Sequence, residues 1–173
     1  EFLRGEDLRH AIKNGHIGDL KSKIKIALQI ARALEYVHSQ KIIHRDIKPE
    51  NVHINSAGVV KLMDFGIAKT EGLAMTRAGY VLGTPYYMAP EQLTPGAPLT
   101  ERTDLFALGL ILYELSVGQH PFKRTLRGAE PPRPSALVPH IDARLEKIIL
   151  RSLAHNPAER PASAAEIART LPD

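Results

Sequence analysis

Two short clusters in the middle of the chain gather residue types suited to a hard metal ion and to anionic oxygen. The first is His44-Arg45-Asp46-Ile47-Lys48-Pro49-Glu50-Asn51 and the second is Asp64-Phe65-Gly66. Carboxylate and amide oxygens such as those of Asp46, Asn51 and Asp64 suit Mg²⁺, which keeps several waters and is usually held by one or two protein carboxylates plus phosphates. Lys48, two residues after Asp46, offers a point charge beside a transferring phosphoryl group. Taken singly these features are weak, because an Asp–Lys pair is commonly a surface ion pair and Asp-Phe-Gly occurs by chance. Their combination requires that two carboxylates and an amide converge from neighbouring loops.

The elements that must bring them together can be read from periodicity. Val52-His53-Ile54 and Val59-Val60-Lys61-Leu62 are short β-like runs separated by Asn55-Ser56-Ala57-Gly58, which predicts a small hairpin flanked by the two clusters. Leu8 and Ile12 predict a short helix from Asp7 to Asn14, stopped by Gly15. Ile24, Ala27, Leu28, Ala31, Leu34 and His38 predict a long amphipathic helix from Lys21 to Ser39. Thr70 to Pro98 is Gly- and Pro-containing, of low periodicity, and long enough to be a functional loop. Arg102 to Val117 reads as a buried helix ended by Gly118. Glu130 to Pro139 is proline-rich and extended or turn-like. Asp142 to Leu153 and a helix capped by Ser163, with Glu166 completing a capping box, close the chain.

Composition narrows the classes. A chain of 173 residues that is 43% hydrophobic and 24% charged fits one globular domain, residues 1–173, and is too apolar for a disordered chain. The absence of cysteine excludes a disulfide framework, a thiolate zinc site and a cysteine nucleophile. The uncharged run Leu105 to Tyr113 falls well short of the roughly 20 residues of a spanning helix. The excess of 23 Lys+Arg over 19 Asp+Glu is scattered apart from Lys21, Lys23, Lys25 and the Lys123, Arg124, Arg127 group, so no nucleic-acid partner is expected.

His-Arg-Asp-x-Lys-Pro-Glu-Asn, then Asp-Phe-Gly, then Ala89-Pro90-Glu91 is an ordered set that resembles the Ser/Thr protein kinase family over essentially the whole chain. The resemblance implies a mainly α (α+β) fold, the C-terminal lobe of a kinase with a small β-hairpin at the catalytic loop. It implies that ATP and Mg²⁺ are the cofactors and that proteins are the substrates. Asp46 would orient the substrate hydroxyl, Lys48 would contact the γ-phosphate, and Asn51 and Asp64 would hold the metal. Lys48 favours Ser/Thr over Tyr specificity. Thr84, in Gly83 to Glu91, would position substrate by bonding toward Asp46 and Lys48. Glu91 would pair with Arg160, and Asp104 would accept from the backbone around His44 and Arg45; both are scaffold roles. Arg45 before the catalytic Asp suggests activation by phosphorylation, with Thr76 the better acceptor and Thr70 the lesser, although both fit equally as solvated loop threonines.

At the front, Glu1-Phe2-Leu3-Arg4-Gly5-Glu6-Asp7-Leu8 resembles the hinge. The backbone of Glu1 and Leu3 would meet the adenine edge, and Asp7 would either reach the ribose or cap its helix. His53 replaces the usual apolar residue beneath the adenine, and fits either stacking there or a core histidine. The region from Lys123 to Glu130 is short for the helix that helps dock substrates, and Pro131-Pro132-Arg133-Pro134 reads as an extended lead into the next helix or as a ligand for a proline-binding module. No glycine-rich phosphate loop or small-lobe lysine is present, so the partner expected for this chain is its own N-terminal lobe. The alternative is a non-catalytic half-kinase or pseudokinase module. The lack of tryptophan is similar to bacterial members, which places the chain in the cytoplasm or in the cytoplasmic part of a membrane kinase. This polypeptide alone is expected to bind ATP poorly and to show little phosphotransfer until a small lobe is supplied.

Overall fold

A computed structural model describes residues 4–65, 86–122 and 130–172. The long apolar helix α3, Glu101–Val117, is its centre: every residue from Thr103 to Leu115 is buried. A helix apolar all round must be covered all round. Helix α2, Leu20–Ser39, packs along one side of it, and α4, Ala143–Ser152, along another, while α5, Ala164–Thr170, closes against α2. A shorter helix, α1, Leu8–Asn14, buries Leu8 and Ala11.

The caps explain where these helices start. Asp7, Asp19, Asp142 and Ser163 each accept a backbone N–H of the first turn, and Thr100 caps α3. Gly15 and Gly118 end α1 and α3 in the left-handed region, at φ 70° and 83°. The capping box expected at Ser163 is not closed: Glu166 Oε2 accepts from Ala162 N at 2.7 Å instead, and its other oxygen takes Arg151. Along α2 the buried stripe is wider than the periodicity predicted, adding Ile26 and Ile30, while Leu28 is only partly buried.

The expected hairpin is present as β2, Val52–Asn55, and β3, Val60–Leu62, with Asn55 Oδ1 accepting from Ala57 N and Val59 N in the turn. It is not alone. Strand β1, Gly5–Asp7, pairs antiparallel with β2 in the register Gly5–Asn55, Glu6–Ile54 and Asp7–His53, giving a three-stranded sheet ordered β1-β2-β3. Three residues are too few to show an alternating pattern. Gly5 permits the pairing, because a Cβ there would lie 2.1 Å from the Ile54 carbonyl oxygen.

Two close approaches hold the helical layer. Gly109 lets α4 sit directly on α3, where a Cβ would come within 2.6 Å of Ser152 Cβ. Below the start of α3, Arg160 is buried and all of its donors are used. It forms a bidentate pair with Glu91 at 2.7 and 2.9 Å and donates to the carbonyls of Ala154, Arg102 and His155. Thr103 Oγ1 donates to the same Glu91 carboxylate, and the guanidinium lies 4.8 Å from the Phe106 ring centre. Arg160→Met leaves Glu91 buried without its counter-charge, so urea unfolding should show a loss of about 3–5 kcal/mol. Glu91→Gln/Arg160→Met should recover part of that loss.

Candidate active site

The residues from His44 to Asn51 form a loop fixed from three directions. From beneath, Asp104, buried in the first turn of α3, accepts from His44 N and from Arg45 N, each at 2.8 Å, and from His38 Nε2 at 2.8 Å. From above, Gln92 Nε2 donates to Arg45 O at 2.8 Å while its own oxygen accepts from Ala89 N. From the sheet side, His44 Nε2 meets Met63 O at 3.0 Å, and its ring lies 4.5 Å from that of Phe65. These restraints hold two non-glycine residues in the left-handed region, Arg45 at φ 67° and Asp64 at φ 51°. Such conformations cost on the order of 1–3 kcal/mol and persist where the surroundings over-determine them.

Within the loop, Asn51 is buried and its Nδ2 donates to both Asp46 O at 2.8 Å and Asp46 Oδ2 at 2.9 Å. Lys48 Nζ lies 3.3 Å from the same Asp46 oxygen. Because Nδ2 makes both bonds, the amide oxygen of Asn51 is the end turned from Asp46. The main-chain bond from Met63 N to Asn51 O, 2.8 Å, extends the β2–β3 pairing and places exposed Asp64 one residue beyond it. An amide oxygen and an adjacent exposed carboxylate are a donor set that fits Mg²⁺ with its waters retained. Among the described residues no group of three or more His, Asp and Glu side chains gathers for a metal.

The other predicted residues fall as follows. Asp7 caps α1 through Oδ1, which accepts His10 N at 2.9 Å, while Oδ2 contacts His10 Nδ1 at 2.6 Å. His53 lies mid-strand on β2 opposite Asp7, with a buried Nε2 that has no partner among the described residues. Arg45 Nε is likewise buried and unpartnered among them. Glu1, Leu3, Thr70, Thr76 and Thr84 lie outside the described residues, as does the stretch 123–129 of the expected docking region. A cavity of about 570 Å³ is lined by Tyr86, Met88, Phe106, Phe122 and His155 and by none of Asp46, Lys48, Asn51 or Asp64.

Sequence reading did not single out several residues that shape this site. Its helical spacing marks His38 only as a core position, and Gln92 carries no local signal at all. Arg9, on α1, links Glu50, Tyr87 and Glu114; the one hint is a cation beside the apolar Leu8.

The Protein kinase domain family matches residues 1–170, nearly the whole chain. The chain belongs to the protein kinase family. This kinase-family chain is 40% identical to serine/threonine-protein kinase pkn3 of Myxococcus xanthus across 95% of its own length and 33% of the relative's. It is 34% identical to serine/threonine-protein kinase PknB of Mycobacterium tuberculosis across 99% of its own length and 29% of the relative's. It therefore spans about a third or less of the curated relatives it matches. Crystal structures of the Mycobacterium tuberculosis PknI kinase domain superpose with a TM-score of 0.78 at 32% identity, covering 99% of this chain and 62% of that one. The C-lobe-like, mainly helical fold with its small sheet is thus that of bacterial Ser/Thr kinases.

His44 adds a pH dependence. Burial pushes its pKa down, and the nearby Asp104 and Asp46 carboxylates and the Met63 carbonyl only partly oppose this. The neutral ring donates from Nε2 to Met63 O and offers Nδ1 to Asp46 N at 3.4 Å. A histidine whose folded pKa is depressed binds its proton more readily when unfolded, so stability is present above the ordinary histidine range and falls as pH drops through it. Urea midpoints measured between pH 7.5 and 5 should decline more steeply for the wild type than for His44→Phe.

Proposed function

We propose that this chain is the catalytic lobe of a Ser/Thr protein kinase, moving the γ-phosphoryl group of ATP to serine or threonine hydroxyls of protein substrates once joined to an N-terminal lobe. The observation that carries this is the Asp46–Lys48–Asn51 triad of contacts, with Asp64 brought next to Asn51 by the β2–β3 pairing. Asp46 orients the acceptor hydroxyl and takes its proton as the new O–P bond forms and the bond to the β–γ bridging oxygen breaks. Lys48, held against Asp46, faces the transferring group with a positive charge. Asn51 and Asp64 would hold Mg²⁺, which when bound neutralises charge on the phosphate oxygens.

Around this centre the assignments follow from the family resemblance. The backbone of Glu1 and Leu3 contacts the adenine edge, and His53 lies beneath the ring. Both Asp7 oxygens are engaged by the α1 cap and by His10, so a ribose contact has to share the capping carboxylate. Thr84 positions the substrate, and Arg45 pairs with a phosphorylated Thr76 or Thr70. Among the described residues Arg45 Nε is buried without a partner, which supports a role that draws an anion to that side chain. Among the described residues no helix is long and apolar enough to cross a membrane.

The test is phosphotransfer by this chain fused to a small lobe carrying a glycine-rich loop and strand lysine. A mixed Ser/Thr peptide pool should be labelled, and Asp46→Asn should lower kcat by about 10²–10⁴-fold. A folded fusion that labels nothing, or an Asp46→Asn variant with unchanged kcat, overturns the assignment.

A further inference from the structure

His120 stands two residues beyond Gly118, the left-handed residue that ends α3, and is therefore carried by the enclosed central helix. Gly118 N donates to Glu114 O at 2.8 Å, which fixes the first step away from that helix. Both ring nitrogens of His120 are engaged. Phe122 N donates to Nδ1 at 3.2 Å, and Nε2 lies 3.0 Å from Tyr86 O. A main-chain N–H only donates and a carbonyl only accepts, so Nδ1 is the bare nitrogen and the neutral ring donates from Nε2. The ring also meets three aromatic neighbours edge-on, with centroids 5.7 Å from Tyr86, 5.2 Å from Tyr87 and 6.0 Å from Phe122.

The stretch that His120 holds has little else to fix it. Tyr86 and Tyr87 lie in a turn, where no helical or strand ladder orders the main chain. Packing does not replace the ladder, because Tyr86 is 53% exposed and Tyr86, Met88 and Phe122 border the cavity of about 570 Å³. The far end of the same run is pinned, by Gln92 to Arg45 O and by Glu91 to Arg160. The near end depends on the His120 ring. Tyr86 comes two residues after Thr84, and in the kinase reading a peptide whose hydroxyl reaches Asp46 lays its flanking residues along this stretch.

We propose that His120 is a positioning residue for the acceptor peptide: its Nε2–H holds the Tyr86 carbonyl, and with it the planar Tyr86–Tyr87 peptide unit, in the orientation that receives substrate. This deepens the kinase reading above and rests on it for naming the peptide; the bond itself is a property of this chain. A residue that only completes the 118–122 turn makes the opposite forecast, and two substitutions separate the roles. Asn places Oδ1 where histidine has Nδ1, so it keeps the Phe122 N bond and gives up its reach to Tyr86. Gln extends its amide to the place of Nε2, so it keeps Tyr86 O and gives up Phe122 N. Positioning survives in His120→Gln and fails in His120→Asn; turn completion does the reverse.

The test has two arms. In the chain itself, ¹⁵N relaxation of the Tyr87 amide reports on the peptide unit it shares with the Tyr86 carbonyl. Its order parameter should stay near the rigid value of about 0.85 in the wild type and His120→Gln, and fall toward about 0.6 in His120→Asn. In the lobe-fused chain, His120→Asn should raise KM for a serine peptide about tenfold, the scale of one hydrogen bond, while kcat and KM for ATP stay within about twofold. His120→Gln should hold the peptide KM within about threefold. An Asn variant as ordered and as tight for peptide as the wild type, a Gln variant worse than Asn, a fall in kcat that accounts for the whole loss, or loss of the fold in both variants by circular dichroism overturns the proposal. A wild-type fusion without phosphotransfer counts against the kinase reading alone, and the relaxation arm, which needs neither nucleotide nor turnover, then decides the role of His120.

Discussion

A carboxylate removed almost entirely from water holds the His44–Asn51 loop in place. Asp104 is 1% exposed and accepts three hydrogen bonds, two from consecutive backbone amides of the loop and one from His38 on α2. Burying a charge is costly unless it is fully hydrogen-bonded, and bonds to a charged acceptor contribute about 1.5–3 kcal/mol each. Its place in the first turn of α3 adds the favourable end of the helix dipole. The arrangement dictates where the His44 and Arg45 amides must be, and so confines Arg45 to its left-handed conformation. Asp46 follows directly, and its carboxylate is then shared between Asn51 and Lys48.

Helix α3 distributes such fixed points along its length. Thr103 and Phe106 meet the Glu91–Arg160 pair, Asp104 meets the loop, Gly109 admits α4, and Glu114 meets Arg9 and Tyr87. Because the helix is apolar and enclosed on all sides, these polar residues cannot turn to solvent and must find partners inside the lobe. The same rigid rod thereby sets the His44–Asn51 loop against the segment that begins at Tyr86. The Glu91 carboxyl shows how such a group is kept ionised: burial pushes it up, while the bonds from Arg160, its own backbone and Thr103 bring it below the usual carboxylate range.

Periodicity was enough to locate α2, α3, α4 and α5 to within a residue or so, because each buries a stripe or a whole surface and begins at a capping side chain. The β2–β3 hairpin was legible through its Asn-Ser-Ala-Gly turn. Strand β1 was not, since three residues show no alternation and its pairing depends on a long-range contact that only Gly5 permits. In the site, the Asp46, Lys48, Asn51 and Asp64 cluster stood out by type and order. Arg9, Gln92 and His38 did not, because each acts through a partner at least 41 residues away whose nearness is a product of the fold. Asp7 illustrates a residue with two readings, and its cap and its bond to His10 account for both of its oxygens.

The dependence of the loop on Asp104 can be measured by amide hydrogen exchange, comparing wild type with Asp104→Asn at a pH where both are folded. The His44 and Arg45 amides should be protected in the wild type despite lying in a loop. In the variant they should exchange about 10-fold or more faster, the kinetic equivalent of losing a charge-assisted bond, while the α3 amides from Leu110 to Leu112 stay unchanged. Wild-type amides that exchange as freely as those of the Asn55–Gly58 turn, or equal protection in the two proteins, would contradict the account.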